Sequence, residues 1–354
     1  MRITANQVTV ARLLAMPFIA VSILGDTRLR IWGVIIGTLV GLTDFVDGYL
    51  ARKYGSTVLG SLLDPVADKV FIVVCYACFA DRGGFPWWVA AAILSRELLV
   101  TVLRSSLELR GRRLASTIVA KVKTWVQMIG FGLVTLVAVI GPGRGLHLVF
   151  AIPLGVSLLA VIAGRLAAPV LVRPFAFAAS VLAGFLLASL WGPAAAQWTV
   201  LAFVIFITWY SALDYLAVGF RELARPLPHR ALHWARLAAG AAMPIAAMAA
   251  IATPGIATLP IILLRSSDMA RGALDNYAAH QGKADFSWGA SLWAETALLV
   301  WALVSPVAGG VVAPIAALIG VTETLRSVRT FMRAPVIPVA RATAPSGGPA
   351  PAGS

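Results

Sequence analysis

The sequence predicts an all-α protein, a polytopic helical bundle built into a membrane. Three observations carry that reading. Of its residues, 60% are hydrophobic and 12% charged, against about 25% charged in an ordinary soluble domain. Mean hydropathy is +0.87, which is more apolar surface than one globule can bury, so the surplus must face lipid. Apolar runs of spanning length recur along the chain, and basic residues gather in alternate connections.

Taken in order, the runs cover residues 8–24, 31–50, 60–80, 86–103, 122–140, 147–163, 175–191 and 198–218. Short breaks such as GDTR after Leu24, DRGGFP after Ala80 and GPGRG after Ile140 separate them, and their Gly and Pro content marks turns. One set of connections holds Arg52, Lys53, Arg104, Arg110, Arg112, Arg113, Lys121, Lys123, Arg165, Arg173, Arg221, Arg225 and Arg230. The alternating set holds Arg28 and Arg30 with Asp26, Arg82 with Asp81, and Arg144. The positive-inside rule puts the first set and the N-terminus in the cytoplasm, giving a multi-pass protein of the cell (inner) membrane. The net charge of +14 fits an interface with anionic lipid headgroups. Nucleic acid is not an expected partner, because the bases lie between apolar runs and not in one soluble patch.

Cys75 and Cys78 have C-x-x-C spacing, but they sit in the apolar stretch VFIVVCYACFA and read as small packing residues. Arg2 and the apolar run to Leu24 resemble a signal peptide on the surface. Small-x-small residues are missing near Leu24, and Arg12 interrupts the run, so a retained first helix is expected. After Phe220 the pattern blurs. Residues 238–264 contain Pro244, Pro254 and Pro260, and residues 290–321 contain Pro306, Gly309, Gly310 and Pro314. Each reads as a tilted span, a broken pair or a re-entrant hairpin. The basic flanks at 265–283 and 326–333 favour hairpins. Asp268, Arg271, Asp275 and His280 read as a solvated interfacial face. The Pro/Gly-rich tail at 334–354 is expected to be disordered. ARLLAMPF near the start and ARLAAGAAMP after Trp234 are alike, as Ala-rich helices easily are.

The chemistry is concentrated in DFVDGYLARKYGSTVLGSLLDPVADK, from Asp44 to Lys69. Asp44 and Asp47 are three apart, and Gly60, Asp64 and Asp68 are four apart each, so each group shares one helix face. A short spacer makes the two helices antiparallel neighbours, and four carboxylates converge at their cytoplasmic end. An Asp deep in a bilayer costs about 2.5–3.5 kcal/mol, so such acids are functional by default. Divalent cations, Mg²⁺ or Mn²⁺, would relieve both the burial and the mutual repulsion. Gly48, Ala51 and Gly60 leave room for a ligand at the backbone, and Arg52 is placed to meet a phosphate. The bland alternative is an interhelical polar cluster compensated by Arg52 and Lys69. It does not call for four acids and three small residues on matched faces.

This stretch resembles the signature of the CDP-alcohol phosphatidyltransferases, D-x-x-D-G-x-x-A-R, a spacer, then G-x-x-x-D-x-x-x-D. It fits at Asp44, Asp47, Gly48, Ala51, Arg52, Gly60, Asp64 and Asp68. The spacer between Arg52 and Gly60 is shorter than the family's usual one, which could shift Arg52. The resemblance implies that an alcohol attacks the lipid-side phosphorus of CDP-diacylglycerol and CMP leaves. It implies that Asp44, Asp47, Asp64 and Asp68 bind metal, two ions in all, with Asp68 also the general base. It implies a CDP-diacylglycerol site at Asn6, Thr9, Gly48, Ala51, Arg52 and Gly60, where Asn6, Thr9 and Arg12 match the family's N-x-x-T-x-x-R entry. It also implies a homodimer.

Two further stretches are similar to phosphatidylglycerophosphate synthases within that family: SRELLVTVLRSSLELRG, with Arg96, Glu97 and Arg104, and LASTIVAKVKTWVQM, with Lys121, Lys123 and Thr124. They imply sn-glycerol 3-phosphate as acceptor, its phosphate held by Arg104, Arg113, Lys121 and Lys123. The alternative for these bases is loop anchoring, and for Arg96 and Glu97 an intramembrane ion pair. The expected layout is a transferase domain at 1–222, with a six-helix core at 1–140 and 196–222 and two inserted helices at about 147–191. WYSALDYL, ending at Leu216, resembles the last core helix. An apolar region of unknown role at 223–333 follows and is expected to be dispensable for transfer. The rival readings are the same chemistry on inositol phosphate, serine or another alcohol, and a non-catalytic scaffold or transporter.

Overall fold

The computed structural model describes residues 5–54, 58–108, 118–167, 172–225, 230–280 and 287–333. Within these, the side chains at 5–6, 42, 44–54, 58–62, 118–121, 166–167, 279–280, 287, 306–308 and 330–333 are not described. The described residues form twelve helices and no strand: α1 Ala5–Leu24, α2 Thr27–Tyr54, α3 Val58–Asp81, α4 Trp87–Glu108, α5 Ile118–Ile140, α6 Arg144–Ala167, α7 Val172–Ser189, α8 Pro193–Ala224, α9 Arg230–Ile251, α10 Thr258–His280, α11 Ser287–Val304 and α12 Pro306–Arg333. Each of the eight apolar runs is one helix. The breaks between them act as expected. The Asp26 carboxylate accepts from the Leu29 amide at 2.9 Å and caps α2. Gly141, which ends α5, has a φ of 69°, a left-handed conformation that glycine adopts without steric cost.

Seven helices among the described residues are long and apolar enough to cross a membrane: α1, α5, α6, α7, α8, α9 and α12. Their outer faces carry large exposed apolar side chains, such as Leu14 and Phe18 on α1 and Ile152, Leu159 and Ile162 on α6. Such faces suit lipid, and the chain is a multi-pass membrane protein. Trp88 and Trp198 stack with ring centroids 5.8 Å apart near the N-terminal ends of α4 and α8, as aromatic side chains do at helix ends in an aromatic belt.

The interior is organised around α3 and α4. Residues 70–79 of α3 are buried without a break, and most of α4 is buried too. Helix α1 packs on α2 and α3, α8 on α4 and α5, α9 on α4, and α10 on both α3 and α4. Helices α6 and α7 pack chiefly on each other and touch the bundle through α5 and α8. Close approach between α4 and α8 depends on Gly219, where an added Cβ would lie 2.4 Å from Leu103 Cδ1. Gly219→Val is therefore expected to lower stability by about 1–3 kcal/mol through overpacking. Thermal unfolding in detergent measures this, and an unchanged midpoint would contradict the close α4–α8 contact.

Beyond Phe220, each blurred stretch is two helices. Residues 238–264 hold the end of α9, a turn in which Gly255 has a φ of 87°, and the start of α10. Residues 290–321 are α11 and α12, meeting at Ser305. The prolines at 244 and 314 lie inside α9 and α12 without ending them. The supposed basic flank at Arg265 and Arg271 is no flank. Both residues lie within α10 and are buried, as are Asp268 and Glu295. Arg265 pairs with Asp268 at 2.7 Å and Arg271 with Glu295 at 3.2 Å. The solvated face expected at Asp268, Arg271 and Asp275 is corrected accordingly: Asp275 pairs with Arg236, and all three charges are buried against opposite ones. The side chain of His280 and the tail at 334–354 lie outside the described residues.

Candidate active site

Asp44, Asp47, Gly48, Ala51 and Arg52 fall on the last turns of α2, and Gly60, Asp64 and Asp68 on the first half of α3. The side chains of Asn6, Asp44, Asp47, Ala51, Arg52 and Lys121, and the surroundings of Gly48 and Gly60, lie outside the described residues, as does Arg113 entirely. Thr9, Asp64, Asp68, Arg104 and Lys123 are described.

Helix α1 organises the acidic face. Thr9 Oγ1 donates to Asp64 Oδ1 at 2.7 Å. One turn on, Arg12 Nη1 donates to Asp68 Oδ1 at 2.8 Å. Arg12 Nε reaches Thr43 Oγ1 at 3.4 Å, the residue before Asp44. One buried guanidinium therefore spans the Asp44-bearing turn of α2 and the Asp68-bearing turn of α3. Asp68 keeps a side-chain exposure of 31% while Arg12 keeps 1%, so the carboxylate faces an opening and its partner lies behind it.

The next layer is basic. Lys69, adjacent to Asp68, donates to Thr101 Oγ1 of α4 at 2.7 Å. Glu97 takes Lys123 Nζ at 2.6 Å and Arg96 Nη1 at 3.3 Å. Gln127 Nε2 joins Glu97 to Thr208 of α8, at 3.2 and 3.1 Å. Arg96 is held by the Thr208 carbonyl at 3.0 Å and by Ser211 Oγ at 2.9 Å. Arg104 donates to Tyr215 Oη at 3.1 Å, with its Cζ 5.0 Å from the centre of that ring. Lys123 lies within electrostatic reach of Asp68, and Lys69 within reach of Arg96, Arg104 and Lys123. Among the described residues Glu97 is the carboxylate bonded to these cations, which outnumber it, so the layer suits an anionic group. Of the expected phosphate ligands, Arg104 and Lys123 stand in this layer, Lys123 already engaged by Glu97.

Thr101, Gln127, Thr208, Ser211 and Tyr215 were not read from the sequence as site residues. Gln127 and Thr208 left a signal, being isolated polar groups within apolar runs. Tyr215 lay inside WYSALDYL but had no assigned role.

A "CDP-diacylglycerol--glycerol-3-phosphate 3-phosphatidyltransferase" of Rickettsia bellii is 35% identical over 133 residues, 37% of this chain and 74% of the relative. The chain belongs to the CDP-alcohol phosphatidyltransferase family. The family model of that name matches residues 2–157, which hold α1 to α5, both acidic turns and Arg104 and Lys123. A Bacillus subtilis protein of the same name as the Rickettsia one is 33% identical over 138 residues, 72% of its length. A "Probable phosphatidylglycerophosphate synthase" of Mycobacterium tuberculosis (strain H37Rv) is 37% identical over 139 residues, and the chain spans 65% of that relative's length. No solved structure matches the chain.

Proposed function

We propose that the chain transfers a phosphatidyl group from CDP-diacylglycerol to the hydroxyl of sn-glycerol 3-phosphate, giving phosphatidylglycerophosphate and CMP. The observation that carries this is an acidic face beside a positive layer: Asp64 and Asp68 are held by α1, Lys123 lies within electrostatic reach of Asp68, and Arg104 within reach of Lys69. The names of the Rickettsia and Bacillus relatives support the same donor and acceptor. We further infer that the site faces the cytoplasm across the inner membrane and that the protein works as a homodimer.

The donor set suits Mg²⁺ or Mn²⁺. Hard carboxylate oxygens on matched helix faces are what such ions take, and Thr9 and Arg12 hold Asp64 and Asp68 in fixed orientations. Among the described residues no three potential ligands stand together; on this reading Asp44 and Asp47, whose side chains lie outside those residues, would complete the set. Bound there, divalent cations supply charge neutralisation for the pyrophosphate.

The protein's own residues do the rest. Asp68 takes the proton of the attacking hydroxyl as the new oxygen–phosphorus bond forms and the bond to CMP breaks. Arg12 Nη1 donates to Asp68 Oδ1 and holds the carboxylate in place for this step. Asn6, Thr9, Gly48, Ala51, Arg52 and Gly60 line the CDP-diacylglycerol side. Arg104, Arg113, Lys121 and Lys123 hold the acceptor phosphate, whose charge replaces water around an otherwise surplus-positive layer.

The experiment that tests this reading follows CMP release in detergent while sn-glycerol 3-phosphate is varied at fixed CDP-diacylglycerol. Arg104→Ala is expected to raise the KM for sn-glycerol 3-phosphate by about 10- to 100-fold, the loss of one charged hydrogen bond. The KM for CDP-diacylglycerol should stay near the wild-type value. An equal rise for both substrates would point to damage to the fold and against an acceptor pocket at Arg104.

A further inference from the structure

The helices after α8 reach the site's own framework. On α4, the residue after Arg104 is Ser105, which is buried. Its hydroxyl donates to Asp275 Oδ2 of α10. Arg236 of α9 donates to that same carboxylate oxygen and also reaches Ser105 Oγ at 3.3 Å. Arg236 is fixed in turn: its Cζ lies 5.8 Å from the Trp288 ring centre, and a Cβ on Gly289 would fall 2.3 Å from its Cγ. One turn back along α4, Gly272 of α10 lies against Thr101, the residue that accepts from Lys69. Gly240 of α9 lies against Val102. The stretch from Thr101 to Ser105 is therefore gripped by α9 and α10, while Arg104 reaches the other way to Tyr215 on α8.

We propose that Asp275, with Arg236, is a positioning residue for the acceptor phosphate. It fixes Ser105 and so sets how Arg104 is presented between α4 and α8. This rests on the proposed acceptor reading. It also changes the expectation for the segment after α8, which the sequence suggested was dispensable. An ion pair with only 2% and 8% of its two side chains exposed is costly to bury for packing alone, since apolar residues of similar volume do as well. What it offers is a fixed register, and here that register falls beside Arg104.

The test uses the full chain in detergent. Ser105→Ala leaves the Arg236–Asp275 pair intact and so guards against misfolding, Asp275→Asn removes the charge, and Asp275→Glu serves as the conservative rescue. Ser105→Ala and Asp275→Asn are each expected to raise the KM for sn-glycerol 3-phosphate about 3- to 10-fold, the size of one hydrogen bond. The KM for CDP-diacylglycerol should not move, and Asp275→Glu should recover part of the loss. A second readout needs no turnover: sn-glycerol 3-phosphate should raise the thermal midpoint of the wild type, and less so that of Ser105→Ala. Unchanged KM values in Ser105→Ala, or equal rises for both substrates, would overturn the proposal. A wild type that releases no CMP but loses this thermal protection in Ser105→Ala would overturn the proposed reaction and keep the positioning role. A wild type with no protection and no turnover would overturn both.

Discussion

Asp64→Asn is expected to abolish CMP release, with a loss of about 10³-fold or more, since it removes both charge and a hard ligand from the proposed metal site. The substitution is a clean one. Thr9 Oγ1 donates to Asp64 Oδ1, and an amide oxygen can still accept that bond, so the packing of α1 on α3 should survive. Asp44→Asn should behave alike, and Asp68→Asn should lose at least the about 10²- to 10⁴-fold that a general base contributes. Turnover by the Asp64→Asn protein at more than a few per cent of wild type, or full wild-type turnover in excess EDTA, would contradict the carboxylate-metal reading.

Glu97→Gln is expected to destabilise the protein by about 3–5 kcal/mol, because it strips the counter-charge from a buried cluster. Glu97 takes Lys123 at 2.6 Å and Arg96 at 3.3 Å, with both cations' side chains under 10% exposed. Without the carboxylate, those two charges repel in a site with little solvent. Adding Lys123→Met to Glu97→Gln should restore part of the loss, since one stranded cation is then gone. Thermal unfolding of the purified single and double variants measures both effects. A Glu97→Gln protein that melts with the wild type would contradict the central place given to Glu97.

Much of this was legible in the sequence, and the reasons it stopped are physical. Eight helices follow from run length and turn residues, and the acids at 44, 47, 64 and 68 stand as a proposed site read from their spacing and the family signature. Thr9 and Arg12 were visible through a motif, although the bonds they make to Asp64 and Asp68 were not. The sequence missed the α10 charges because hydropathy counts charges singly. Arg265 and Asp268 pair within α10 at i, i+3 spacing, and α11 brings Glu295 to Arg271, which makes the four an interior group. The i, i+3 pairing is local, but its burial and the cross-helix partner are set by packing between helices. Ser105 was missed for the same reason. It is an ordinary small residue on α4 until Asp275, far along the chain, meets it.

The most direct measurement of the central claim is CMP release by the purified protein from CDP-diacylglycerol, with Mg²⁺ or Mn²⁺, across a panel of alcohols, with the lipid product identified by mass. The panel would hold sn-glycerol 3-phosphate, inositol phosphate, glycerol, inositol and serine. The account predicts release that depends on sn-glycerol 3-phosphate and a product with the mass of phosphatidylglycerophosphate. Equal use of glycerol or serine, or no release with any acceptor, would contradict it.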